Sequence, residues 1–218
     1  MLNLRPVTGR VVAPLAAALL RVGVTPDMVT VAGAAGAVAA AFGFFPRGSF
    51  LLGTVLVTIA VLTDSLDGAM ARMRGISGRW GAFLDSTLDR IADAAVFGAL
   101  VLWYAGRGDS TLLLCVTLFC LVAGLVTSYV KARAEGLGMT CNVGIAERTE
   151  RLILVLAGTG VAGLGLPVAL PVALWVLAVV SAVTVIQRLV EVRRQATSAT
   201  SAPNSPTSPT SPTPPAAA

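Results

Sequence analysis

Six long apolar runs dominate the chain and restrict what it can fold into. Hydrophobic residues make up 56% of the 218 residues, and the mean hydropathy is +0.83, which is far from the composition of a soluble domain. A helix of about 20 apolar residues spans a bilayer. We therefore predict an all-α integral membrane protein with six transmembrane helices. The predicted spans are residues 25–45, 50–73, 81–104, 112–134, 145–164 and 172–192.

The two ends of the chain differ from these runs. Residues 4–22 combine three arginines with apolar positions and an internal proline, a pattern typical of an amphipathic helix that lies in the membrane interface. Residues 196–218 form a Ser/Thr/Pro/Ala tract that cannot bury enough apolar surface to order itself. We expect a membrane domain over residues 1–195 and a disordered tail over residues 196–218.

The basic residues predict the orientation. If the N-terminus is cytoplasmic, Arg47 and Arg107 are the only cations on the outer side. Positive charge favours the cytoplasmic ends of spans, so we expect a multi-pass protein of the cell membrane with its N-terminus and active site on the cytoplasmic side. Membrane topology then accounts for part of the net charge of +5, and we expect a lipid bilayer as partner and no nucleic acid.

Four aspartates lie at helical spacing within the second and third predicted spans. Asp64 and Asp67 are three residues apart and Asp85 and Asp89 are four apart, so each pair shares one helix face. Carboxylates in a membrane segment are costly unless positive charge compensates them. The chain has no histidine, so acid–base chemistry falls to carboxylates, and an oxygen-only site favours Mg²⁺ or Mn²⁺ over zinc. We predict a metal site, with two ions as the expected number.

The full pattern around these aspartates resembles the signature of the CDP-alcohol phosphotransferases. It reads Asp64-x2-Asp67-Gly68-x2-Ala71-Arg72-x8-Gly81-x3-Asp85-x3-Asp89. Members of that family are integral membrane enzymes that transfer a phosphatidyl or similar group from a CDP-linked lipid to an alcohol and release CMP. The resemblance implies a homodimer, metal ligation by all four aspartates, and a general-base role for Asp89. The donor-binding residues it implies are Asp27, Thr30, Gly68, Ala71 and Arg72.

Cationic segments later in the chain bear on the acceptor alcohol. Ser-Tyr-Val-Lys-Ala-Arg-Ala-Glu at 128–135, Glu-Arg-Thr-Glu-Arg at 147–151 and Gln-Arg at 187–188 resemble the actinobacterial phosphatidylinositol-phosphate synthase branch of the family. That resemblance implies CDP-diacylglycerol as donor and inositol 1-phosphate as acceptor. Thr149 departs from the proline that is common in the second segment. The implied acceptor-binding residues are Ser128, Lys131, Arg133, Arg148, Arg151 and Arg188.

Other interpretations of the same residues stay open at this point. A phosphatidylglycerophosphate synthase, or another family member with a different acceptor, would share the aspartate signature. A membrane transporter could also place aspartates among its spans, but the carboxylates cluster near one membrane face and no continuous polar path crosses the outer halves of these spans. Asp93 extends the i+4 series beyond the signature, and we interpret it as a structural residue, with Arg90 as a possible partner, in preference to a site residue.

Overall fold

The computed structural model describes residues 5–74 and 78–200, and every regular element in those ranges is helical. This confirms the all-α class. A single 3₁₀ turn, Phe45–Arg47, follows the second helix. The helices are α1 Arg5–Arg21, α2 Pro26–Phe44, α3 Phe50–Leu62, α4 Asp64–Arg74, α5 Arg79–Ala105, α6 Thr111–Gly136, α7 Arg148–Gly163 and α8 Ala169–Thr200.

Six of these helices form a closed ring of contacts. Each helix packs against two neighbours in the order α2, α5, α6, α8, α7, α3, and α3 returns to α2. The ring is held by buried apolar side chains contributed along its length, including Phe45, Val57, Leu100, Val155 and Leu174. Helices α5 and α7 are not neighbours in this order, so any contact between them has to be made by side chains that reach towards each other.

Four helical segments are long and apolar enough to cross a membrane, judged by length and composition over the described residues. They are Pro26–Arg47, Phe50–Met73, Thr111–Gly136 and Ala169–Ser198. The other two predicted spans correspond to α5 and α7. The first half of the 27-residue α5 carries several charged residues, and α7 has only 16 residues. The structure therefore supports a membrane protein with four clear candidate spans.

The second predicted span is divided at Thr63, where α3 ends and α4 begins. The Thr63 hydroxyl donates a hydrogen bond to the carbonyl oxygen of Ala60 at 2.5 Å. Helix α2 approaches this point closely because Gly33 has no side chain, and a Cβ there would overlap the Thr63 hydroxyl. The break thus redirects the chain at the residue just before the first signature aspartate.

Helix α1 lies within the predicted range, whereas the end of α8 and the start of α7 differ from the predicted boundaries. Helix α1 packs on α4, where Ala16, Ala69 and Met70 form a second small core. Helix α8 continues to Thr200, past the predicted start of the disordered tail at residue 196, because this stretch contains no proline and the hydroxyls of residues 197 and 198 donate back to carbonyls of the same helix. Residues 201–218 lie outside the described part. Helix α7 begins at Arg148, three residues later than predicted.

Candidate active site

The residues predicted to bind the donor and the metal lie where α2, α4 and the start of α5 meet. We call this region the donor side. Asp67 is buried, with 7% of its surface exposed, and its carboxylate accepts a hydrogen bond from the Thr30 hydroxyl. Asp27 accepts a hydrogen bond from the indole N–H of Trp80 at 3.1 Å. Two residues of α2 therefore contact the segments that carry the aspartate signature. Trp80 was not among the predicted residues, and its position inside the signature was the available signal.

The charges of the aspartates act on one another across α4 and α5. Asp85 lies close enough to repel both Asp67 and Asp89, and it makes no hydrogen bond or ion pair with another described residue. Among the described residues, no three carboxylates are close enough together to hold one ion. The side chain of Asp64 lies outside the described part, and Asp89 is turned towards an arginine. The residues nevertheless fit a hard divalent cation, because the donors are all carboxylate oxygens and a cation would relieve their repulsion.

Small residues of α4 accompany Asp67. The backbone N–H of Gly68 donates to the Asp67 carboxylate at 2.5 Å, and Ala71 is half-buried one turn later. Arg72 is exposed, and its guanidinium lies beside Gly68, where an added Cβ would be 3.4 Å from Nη1. No described carboxylate pairs with Arg72. The position of Arg72 next to the aspartates is therefore compatible with a phosphate contact.

An alternating chain of acids and bases crosses from α5 to α7. Arg148 pairs through Nη2 with Asp89 Oδ1 at 2.8 Å and through Nε with Asp93 Oδ1 at 3.2 Å. Asp93 Oδ2 pairs with Arg151 Nη2 at 3.5 Å. We call these four residues, Asp89, Arg148, Asp93 and Arg151, the charge chain. Gly124 of α6 lies beside it, and a Cβ there would be in ordinary contact, 3.4 Å from the Arg151 guanidinium.

A narrow cleft joins the donor side to the charge chain. Its wall includes Thr30, Gly33 and Thr63 from α2 and the α3–α4 break, together with Asp89 and Arg148. Asp89, the predicted base, and Arg148, a predicted acceptor-binding residue, therefore line the same cleft as Thr30. Thr30 in turn contacts Asp67. The cleft therefore brings residues predicted for the donor, for the base and for the acceptor to one place.

The remaining predicted acceptor residues lie on α6 and α8. The Ser128 hydroxyl donates to the carbonyl of Gly124 at 3.1 Å. Lys131 is half-buried and Arg133 is exposed, and neither pairs with a described side chain. Arg188 is almost fully buried, with 3% exposed, and it is largely engaged. Its Nη1 donates to the Thr127 carbonyl at 2.7 Å and its Nε to the Val143 carbonyl at 2.9 Å.

One face of α8 holds the α6–α7 connection over residues 137–147. Thr184, Arg188, Glu191 and Gln195 are spaced four, three and four residues apart, which places them on one face. Thr184 accepts from the N–H of Ala146 at 3.1 Å. Gln195 exchanges two hydrogen bonds with the backbone of Thr140, at 3.0 and 2.7 Å, and also donates to Glu191 at 2.7 Å. The connection leads directly into the arginines of α7.

The sequence interpretation did not include Thr184 or Gln195. Gly144 shows how closely the connection and α8 fit, because it has φ +138° and a Cβ would lie 2.6 Å from Thr184 Cγ2. Only Gly adopts such a backbone conformation readily. The spacing of polar residues at the end of an otherwise apolar helix was the signal that could have identified this face.

Replacing Gln195 by alanine is expected to loosen the connection without unfolding the protein. The change removes both hydrogen bonds to Thr140, each worth about 1 kcal/mol, so amide hydrogen exchange over residues 139–146 should accelerate about 30-fold. The measurement is hydrogen–deuterium exchange with mass spectrometry in detergent. The exposed Arg193, replaced by alanine, is the control. Equal exchange in both variants would show that Gln195 does not hold the connection.

Comparison with known proteins identifies the family of this chain. The family model for CDP-alcohol phosphatidyltransferases matches residues 23–186, and the chain belongs to that family. It is therefore a transferase, and the transporter interpretation is set aside. Phosphatidylinositol phosphate synthase of Streptomyces avermitilis is 53% identical over 194 residues, covering 86% of this chain and 80% of the relative.

Solved structures show the same similarity. A crystal structure of Mycobacterium tuberculosis phosphatidylinositol phosphate synthase with CDP-DAG bound has a TM-score of 0.82 at 49% identity, covering 84% of this chain and 94% of that one. A structure of the same enzyme in complex with manganese and citrate has a TM-score of 0.82 at 48% identity, covering 84% of this chain and 89% of that one. The fold and the family are thus shared along most of both chains.

Proposed function

We propose that this chain is a phosphatidylinositol phosphate synthase that transfers the phosphatidyl group of CDP-diacylglycerol to inositol 1-phosphate and releases CMP. The observation that carries the proposal is the charge chain, which puts Arg148 next to Asp89 and Arg151 next to Asp93. Arginine binds phosphate through charge-assisted, often bidentate, hydrogen bonds. With Arg90 included, three guanidinium groups face two carboxylates, so the cluster favours an anionic acceptor. Relatives of that name at about half identity support the same substrate.

The lipid donor is proposed to enter from the membrane side between α1, α2 and α3. An apolar groove of about 730 Å³ lies there and shares Gly33, Ala60 and Thr63 with the narrow cleft. Acyl chains are suited to the groove and the pyrophosphate to the cleft. In this arrangement Asp27 and Thr30 contact the donor from α2, and Gly68, Ala71 and Arg72 contact it from α4.

Asp64, Asp67, Asp85 and Asp89 are proposed to hold two divalent cations, Mg²⁺ or Mn²⁺. Bound ions would neutralise the donor phosphates and favour departure of CMP. The support comes from the oxygen-only donor set, the mutual repulsion of Asp67, Asp85 and Asp89, and the related enzyme that was crystallised with manganese.

The chain's own residues would carry out the transfer as follows. Arg148 and Arg151 hold the acceptor phosphate, which orients an inositol hydroxyl towards the cleft. Asp89 accepts the proton of that hydroxyl as its oxygen forms a bond to the lipid-linked phosphorus. The bond from that phosphorus to the CMP oxygen breaks, and CMP leaves with the electron pair. Lys131 and Arg133 are available to the acceptor at the end of α6, and Ser128 and Arg188 shape the pocket behind it.

The membrane arrangement we propose has six spans, with α5 and α7 added to the four clear candidates. Their charged residues meet inside the ring, so α5 and α7 need not expose charge to lipid. Helix α1 would lie in the interface, and the N-terminus and active site would be cytoplasmic, as the basic residues favour. A homodimer is proposed from the family resemblance.

The proposal predicts acceptor selectivity and metal dependence. Purified protein in detergent, with CDP-diacylglycerol and Mg²⁺, is expected to release CMP with inositol 1-phosphate at a kcat/KM roughly 100-fold or more above that with free inositol. Excess EDTA should abolish release and Mg²⁺ or Mn²⁺ should restore it. CMP release should also be measured with glycerol 3-phosphate and with serine as acceptors. Preference for glycerol 3-phosphate would assign the chain to the phosphatidylglycerophosphate synthases, and preference for free inositol would refute the phosphate pocket.

A further inference from the structure

Asp93 occupies a central position in the charge chain that the signature does not explain. It lies one helical turn beyond Asp89 on α5, and 7% of its surface is exposed. Its two oxygens serve different partners: Oδ1 contacts Arg148 Nε at 3.2 Å, and Oδ2 contacts Arg151 Nη2 at 3.5 Å. Both arginines are on α7, which does not neighbour α5 in the ring. One carboxylate thus reaches across the ring interior to two guanidinium groups.

We propose that Asp93 is a positioning residue that sets Arg148 and Arg151 as one phosphate-binding unit for the acceptor. This inference rests on the proposed function. Each guanidinium has five N–H donors and directs only one of them at Asp93, which leaves donors on both groups for a phosphate. The planar fork of arginine binds phosphate best when its orientation is fixed beforehand.

The contact between Arg148 and Asp89 makes a second holder necessary. Arg148 also pairs with Asp89 at 2.8 Å, but the proposed reaction requires Asp89 for metal ligation and for the proton of the acceptor. An arginine held by Asp89 alone would lose its anchor when that carboxylate turns to these tasks. Asp93 has no such task, so it keeps Arg148 in place throughout and fixes the separation between Arg148 and Arg151.

Charge balance supports the same role. Arg90 also lies beside this cluster, with Nη1 3.6 Å from Asp89. Without Asp93, three guanidinium groups would face a single carboxylate, and their mutual repulsion would spread the two α7 arginines apart. With Asp93, these three arginines and two aspartates have one positive charge in excess. Arg188 adds a further positive charge near Arg151. Asp85 offsets charge near Asp89, so the excess lies at the α7 end, where an incoming phosphate can neutralise it. Asp93 therefore keeps the two α7 arginines from moving apart, and the pocket keeps the positive charge that an anion requires.

The test is the Asp93→Asn variant, which keeps the size of the side chain and removes its charge. The KM for inositol 1-phosphate is expected to rise about 30-fold, since truncating a buried charge pair weakens binding strongly. The KM for CDP-diacylglycerol should stay within about twofold and kcat within about threefold of the original, because Asp93 touches neither the donor nor the reacting atoms. Asp109→Asn, the same change at an exposed position beyond the far end of α5, is the control.

The outcomes separate this inference from the proposed function. If the unmodified protein does not use inositol 1-phosphate, the proposed function fails. If it does, and Asp93→Asn raises both KM values equally or lowers only thermal stability, Asp93 is merely structural and the inference is wrong. Should Asp93→Asn not fold, Asp93→Glu keeps the charge but displaces it, and its KM for inositol 1-phosphate should rise several-fold with the donor KM unchanged. An unchanged KM, or failure of both variants to fold, would overturn the inference.

Discussion

Replacing Asp89 by asparagine is expected to lower kcat for CMP release by about a thousandfold or more, since a positioned general base contributes 10²–10⁴ and metal ligation is lost as well. Asparagine has nearly the same shape, so the cleft keeps its form. It cannot accept the acceptor proton, however, and it is a poor ligand for a hard cation. The measurement is CMP release with both substrates and Mg²⁺ at saturation.

The Asp89 experiment has a matched control within the same chain. Asp109→Asn makes the same chemical change in the connection between α5 and α6, where the side chain is exposed, and should leave kcat within about twofold. Both variants should show thermal unfolding close to that of the original protein. If Asp89→Asn retains more than a tenth of kcat, Asp89 is not the base, and the roles carried over from the family signature would need revision.

Replacing Arg151 by alanine is expected to damage acceptor use selectively. The guanidinium is buried, with 4% of the residue exposed. Its loss removes hydrogen-bond donors to the acceptor phosphate and leaves Arg148 as the remaining partner of Asp93. Truncating one partner of a buried, hydrogen-bonded charge pair costs about 2–5 kcal/mol of binding, so kcat/KM for inositol 1-phosphate should fall about 100-fold. The KM for CDP-diacylglycerol should change less than about threefold, because Arg151 does not line the cleft shared with the donor.

Initial rates measured with each substrate varied in turn would test this expectation. Arg193→Ala removes an exposed arginine from α8, and it should leave both KM values unchanged. An equal loss for donor and acceptor would mean that Arg151 supports the site as a whole and does not bind the acceptor phosphate. A loss confined to kcat would place the residue nearer to the transferred phosphoryl group than we propose.

Much of the donor side could be predicted because its aspartates are close together in the sequence. The pairs Asp64/Asp67 and Asp85/Asp89 share helix faces through spacing alone, and the signature identified the family that the comparison confirmed. The six apolar runs predicted helices in nearly the observed places. The break at Thr63 was missed, because it depends on the approach of α2 at Gly33, which no pattern in the third helix reveals.

The acceptor side was predicted less completely. The cationic segments were found. The phosphate contact expected of Arg188 stays a prediction, and the structure adds that this side chain holds the backbone carbonyls of Thr127 and Val143. Asp93 was interpreted as structural, with Arg90 as a possible partner, and instead it pairs with two arginines of α7. Each of these outcomes depends on the rotation of one helix relative to another that is far away in sequence.

The sequence by itself determined the helical class, the apolar runs, the aspartate signature and therefore the type of chemistry. These properties follow from composition and from spacing within one helix, which the 3.6-residue repeat converts directly into shared faces. The tertiary structure decided the order of the ring, the crossing of Asp93 from α5 to α7, and the holding of the α6–α7 connection by α8. Contacts between non-neighbouring helices depend on how close-packed side chains orient the helices, and that information is distributed over the whole chain.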